Sequence, residues 1–102
     1  MADREGIKQV VHQHFHEIER CYVDIIEARP GAEGKVVMSW EIQPDGQVAN
    51  VALSEANHKI EGIGPCLVKA ISAWRFPRLN SDEAAVTVNY PFFFSENGQF
   101  KP

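Results

Sequence analysis

Three histidines, His12, His14 and His16, alternate along one short stretch. On a helix His12 and His16 lie one turn apart, a spacing that can clamp a transition metal, while His14 points elsewhere. His16-Glu17 begins like the His-Glu-x-x-His motif of zinc proteases, but Arg20 occupies the second histidine position and the motif fails. These residues read as a solvated polar face, and no metal site is expected. Nucleophilic catalysis needs a serine or cysteine beside a base and an orienter, and Ser39, Ser54, Ser72 and Ser81 sit in no glycine-flanked elbow. Gly31-Ala32-Glu33-Gly34 and Gly62-Ile63-Gly64 lack the pattern of a phosphate-binding loop and read as hinges and caps. Lys69, Arg75 and Arg78 read as solvated charges. No catalytic residue, cofactor or small-molecule substrate is expected.

Cys21 and Cys66 are the only cysteines. They lack the Cys-x-x-Cys spacing of a redox motif or a structural zinc site, which leaves one bridge or two isolated thiols. A bridge would contribute about 4 kcal/mol by restricting the unfolded chain. Two buried, reduced cysteines serving as small apolar fillers are the other reading, and the residues alone leave both open.

A chain of 102 residues suffices for one compact domain and no second. The apolar fraction of 44% and charged fraction of 24% are those of a folding globular chain. A formal charge of -4 repels phosphate backbones, so nucleic acid is not expected as a partner. No apolar run is long enough to cross a bilayer, and Met1 to Lys8 lack the order of a signal peptide. The chain reads as a soluble piece, with a longer exported protein as one source.

Ile7, Val10, Val11, Phe15, Ile18, Cys21, Tyr22, Ile25 and Ile26 keep the three-and-four spacing of one long amphipathic helix, which Pro30 stops near Ala28. Alternation follows, with Val36, Met38, Trp40 and Ile42 facing inward on a first strand. Pro44-Asp45-Gly46 supplies a tight hairpin turn, and a second strand runs from about Gln47 to Ser54 with an irregularity just after the turn, because Val48 is out of phase with Val51 and Leu53. Pro65 opens a second helix reaching about Trp74, whose inward stripe is Ile63, Cys66, Leu67, Ala70, Ile71 and Trp74. Both cysteines therefore face the core. Phe76-Pro77 ends the helix, Arg78 to Glu83 form a polar loop, and Val86, Val88, Tyr90, Phe92 and Phe94 alternate along a third strand. Pro91 cannot donate to a ladder and argues for a sheet edge or a break there.

The order is αββαβ, an α+β fold with a three-stranded antiparallel sheet and two helices packed on one face. Residues 1–94 form the domain and 95–102 a flexible tail. Phe93 points away from the side that holds Phe92 and Phe94, and beside a free strand edge an exposed aromatic suits peptide docking.

Taken together the residues resemble the TonB-like C-terminal domains of the AgmX/PglI type, found in gliding and outer-membrane-associated machinery of deltaproteobacteria. The resemblance spans about Ile7 to Phe94. It rests on Cys21-Tyr22 late in the first helix, Gly34-Lys35-Val36-Val37 opening a strand, Ile42 followed by Asp45-Gly46-x-Val48-x-x-Val51, and a lone Cys66 in the second helix. Trp74-x-Phe76-Pro77 and Val86-x-Val88-x-Tyr90-Pro91-Phe92-x-Phe94 complete it. The chain departs from the pattern at Val23, where an acidic residue is common, and at Leu79-Asn80-Ser81-Asp82, in place of a Gly-rich stretch.

The resemblance implies a periplasmic domain, tethered through a linker to an inner-membrane anchor outside these residues. Such a domain is an energy transducer, carrying work from an ion-driven motor to an outer-membrane partner, in gliding motility or transport. An oxidising periplasm implies a Cys21 to Cys66 disulfide joining the two helices. The expected mechanism is strand addition, in which an extended segment of an outer-membrane or periplasmic protein pairs with the third-strand edge at Ala85, Val86, Thr87, Val88, Asn89 and Tyr90, and Phe93 supplies specificity. Proline at Val88 is expected to abolish pairing without emptying the core. The alternative is a structural envelope module that pairs the same edge with a second copy, as a homodimer.

Overall fold

A computed structural model describes residues 4–78, 84–95 and 100–101. The elements are α1 (Arg4–Gln13), α2 (Phe15–Ala28), β1 (Gly34–Ile42), β2 (Val48–Ala56), a 3₁₀ turn (Glu61–Ile63), α3 (Gly64–Ser72), β3 (Val86–Phe94) and β4 (Phe100–Lys101). The three expected strands form an antiparallel sheet in the order β2-β1-β3, and the short β4 extends it beyond β3. The expected loop from Arg78 to Glu83, including Leu79-Asn80-Ser81-Asp82, lies beyond Arg78 outside the described residues. So do 96–99 and 102 of the expected tail.

The alternation along β1 and β3 is realised as predicted. Val36, Met38, Trp40 and Ile42 are buried against the helices, joined by Val88, Phe92 and Phe94. From the helical side come Val10, Val11, Ile18, Cys21, Tyr22, Leu67 and Ile71, with Trp74 and Phe76 between the layers. The hairpin turn folds as its residues dictate. Gly46 N–H donates to the Gln43 carbonyl at 2.8 Å, and the Gln47 N–H donates to Asp45 Oδ1 at 3.0 Å. Gly46 has φ +91°, and a Cβ there would come within 2.1 Å of the Phe76 carbonyl oxygen, so the turn admits only glycine. The Phe76 N–H donates back to the Gly46 carbonyl at 2.9 Å, docking the turn on the segment after α3.

Three expectations are corrected. The long first helix is two helices, broken at His14, where φ is -105° and ψ 19°. The irregularity of β2 is two bulges. Two register shifts against β1 leave an extra residue at Asn50–Val51, opposite Trp40, and another at Ser54. Asn50 takes φ 54°, a left-handed conformation that asparagine tolerates better than most residues. Finally, part of the expected loose tail is paired, with Lys101 opposite Phe93 and Phe100 opposite Phe94.

Candidate partner-binding edge

The β1–β3 ladder runs unbroken from Gly34 opposite Phe94 to Ile42 opposite Val86, with Pro91 opposite Val37. In antiparallel pairs, residues alternate between those whose N–H and C=O both bond the partner and those whose groups both face away. Proline has no N–H, so Pro91 can sit in this ladder only at a position that faces away from β1. By the same alternation Thr87, Asn89 and Phe93 direct their backbone groups outward. Phe93 is met by Lys101 of β4. The outer border of β3 therefore offers the N–H and C=O of Thr87 and of Asn89, and the C=O of Pro91, to an incoming strand.

This geometry divides the residues expected at the edge. Thr87 and Asn89 are exposed and present their backbones outward. Val86, Val88 and Tyr90 turn theirs toward Ile42, Trp40 and Met38 of β1 and contribute side chains alone. Ala85 precedes the strand and is exposed. Phe93 keeps an exposed ring, at 50% of its free area, although its backbone is taken by the tail. The expectation for proline at Val88 is overturned by the same register. Val88 is buried and bonds Trp40, so a proline there would break the central ladder, and the residue to change is Asn89.

Beside this border runs a groove of about 580 Å³ lined by Ile7 and Lys8 of α1 and by Thr87, Val88, Asn89, Tyr90, Pro91 and Phe93. Ile7 and Lys8 were not legible as site residues, because Ile7 continues the apolar stripe and Lys8 its polar side. Only the packing of α1 brings them to β3. Burial raises the Tyr90 phenol above its ordinary value, so its hydroxyl stays neutral in the groove. The opposite border of the sheet differs. Both bulges lie on β2, and Gln47 at its start is bridged to Arg75. Bulges twist an edge away from further pairing.

The scaffold behind the edge is cross-linked. Cys21 of α2 and Cys66 of α3 form a disulfide, with Cα atoms 5.7 Å apart. Tyr22, next in sequence, is fully buried, and its hydroxyl lies 2.8 Å from the Ala32 carbonyl oxygen and 2.5 Å from that of Ser95, donating its single proton between them. Its ring stacks on Phe94. Cys21-Tyr22 thus holds α3 on one side and the end of β3 on the other.

The histidines do not converge. The break at His14 places His12 and His16 on separate helices, and among the described residues no three His, Cys, Asp or Glu side chains could share a metal ion. His14 turns inward and stacks on Trp74, with ring centroids 4.8 Å apart. Its Nδ1–H donates to Glu17 Oε2 at 2.5 Å, and Trp74 Nε1–H donates to Glu17 Oε1 at 3.0 Å. Partial burial pushes the Glu17 carboxyl up, but these hydrogen bonds and the nearby imidazole outweigh it and hold the group below its ordinary value. Comparison of the chain with known protein families, with curated proteins and with solved structures finds no match in any of the three.

Proposed function

We propose that this is a TonB-like protein-interaction domain of the periplasm that receives an extended segment of an outer-membrane or periplasmic protein by strand addition along β3. The resemblance set out above supplies the family, the compartment and the coupling to an inner-membrane ion-driven motor in gliding motility or transport. The observation that carries the binding mode is the unequal treatment of the two sheet borders: β2 is bulged, whereas β3 is regular and offers outward backbone groups from Thr87 to Pro91 beside a groove. Five such groups at about 0.5–1.5 kcal/mol each, set against the entropy of association, give modest affinity. That suits a transmitter that must let go.

The test is amide exchange at Thr87 and Asn89 in the presence of solubilised outer-membrane proteins. Protection of both amides is expected, together with loss of protection at Thr87 in Asn89→Pro. Equal binding by a folded Asn89→Pro variant would overturn the reading. The competing occupant is a second copy. Light scattering across concentration separates the two.

A further inference from the structure

The stripe from Ile7 to Ile26 has the spacing of one continuous helix, yet the chain bends at His14 with neither glycine nor proline at Gln13-His14-Phe15. Kinks usually trace to those residues or to a side chain inserted into the ladder. The His14 N–H bonds the Val11 carbonyl three residues back, at 3.1 Å, and the His14 carbonyl accepts from Glu17 and Ile18 to begin α2. What marks the bend is the side-chain cluster already described, in which His14 lies flat on Trp74, 15° from parallel, and both bond Glu17. Residues from the helix junction, from α2 and from the segment after α3 meet where α1 leaves α2. α1 in turn carries Ile7 and Lys8, the helical wall of the groove beside β3.

We propose that His14 is a proton-operated latch that fixes the position of α1 and so sets the groove along β3. The latch exists whether or not a segment pairs with β3; its effect on binding rests on the strand-addition reading. A protonated ring faces the Glu17 carboxylate as a full charge and stacks on the Trp74 indole as a cation, so both contacts strengthen. A neutral ring keeps a weaker hydrogen bond and an apolar stack. The charged group against the ring is Glu17, from α2. Trp74, from the segment after α3, does not titrate, and α1 brings the apolar Val10 and Val11 to the core behind it. His12 and His16 are exposed, His16 near Glu19 at 3.9 Å. Protonating Glu17 in stronger acid opens the latch from the other side, so it is tightest in mild acid.

Histidines change charge between about pH 5 and 8, which sets the range of the test. Amide exchange of Val10 to Gln13 is followed in the isolated domain, corrected for intrinsic rates, with no partner present. Protection is expected to fall roughly three-fold as pH rises through that range, in keeping with a partly exposed ion pair. His14→Gln and Glu17→Gln are expected to abolish the dependence. A pH-independent wild type, or a His14→Gln variant that keeps the dependence, would overturn the proposal. Should the variants not fold, the wild-type Trp74 indole N–H resonance must titrate in step with the His14 ring, and failure to do so is equally fatal. Because no partner enters, failure here leaves the edge experiment on Thr87 and Asn89 standing, and the reverse also holds.

Discussion

Trp40 and Trp74 meet edge to face in the core, ring centroids 6.0 Å apart, and differ at their indole nitrogens. Trp74 donates to Glu17, whereas Trp40 Nε1 has no hydrogen-bond partner among the described residues. An unpaired buried donor costs about 1–3 kcal/mol, which Trp40→Phe would relieve while losing packing. Trp74→Phe loses similar packing and a bond to a carboxylate. The second variant is therefore expected to be less stable than the first by about 1 kcal/mol, as read by urea unfolding. Glu17 gives a pH prediction of defined sign. Its folded value lies below the ordinary 4.5, so its contribution is present above that value and is lost as pH falls through and beneath it. Glu17→Gln should flatten that acid limb, and an unfolding midpoint that drops as steeply as in the wild type would show the carboxylate to be idle.

Among the elements, β3 has an inner and an outer set of backbone groups, and single prolines distinguish them. Asn89→Pro should fold and lose edge pairing; Val88→Pro should unfold, because it removes a bond to β1 and disturbs a buried side chain. Circular dichroism with thermal melting decides it, and a folded Val88→Pro beside an unfolded Asn89→Pro would show the alternation to be reversed. How much of this was legible follows from what each signal encodes. Alternation in β1 and β3, the Pro44-Asp45-Gly46 turn and the Pro65 helix entry are local properties, and each appears where its residues place it. The break at His14 is not local, since the apolar period runs straight through it and the contact with Trp74 comes from far along the chain. Nor could the sequence reveal which backbone groups of β3 face outward. That depends on register with β1, although Pro91 marks the phase once the register is known.

At the scale of the molecule, two separate ties hold the layers. The disulfide closes a separation of 45 residues between α2 and α3, and Tyr22 bridges the Ala32 and Ser95 carbonyls. Loop-closure reasoning puts the disulfide at about 4 kcal/mol, a large share of the stability of a domain this small. Cys21→Ala with Cys66→Ala should lower the unfolding free energy by about 2–4 kcal/mol without changing the strand order, measured by denaturant titration. A change below about 1 kcal/mol would mean that the core alone suffices. The cysteines were visible from the outset as inward-facing on two helices, but their pairing needed the positions of those helices. The groove wall from α1 needed the same.

The direction of β4 has a practical corollary. Phe100 lies opposite Phe94 and Lys101 opposite Phe93, so this ribbon travels toward Pro91 and the vacant backbone beyond it. An affinity handle or fluorescent label fused after Pro102 would share one short stretch of chain with that vacancy, at an effective concentration of the order of millimolar. It would act as a built-in competitor and mask weak partners in a capture assay. A probe attached at the exposed His58 or Lys59, in the turn that follows β2, is not continuous with this ribbon.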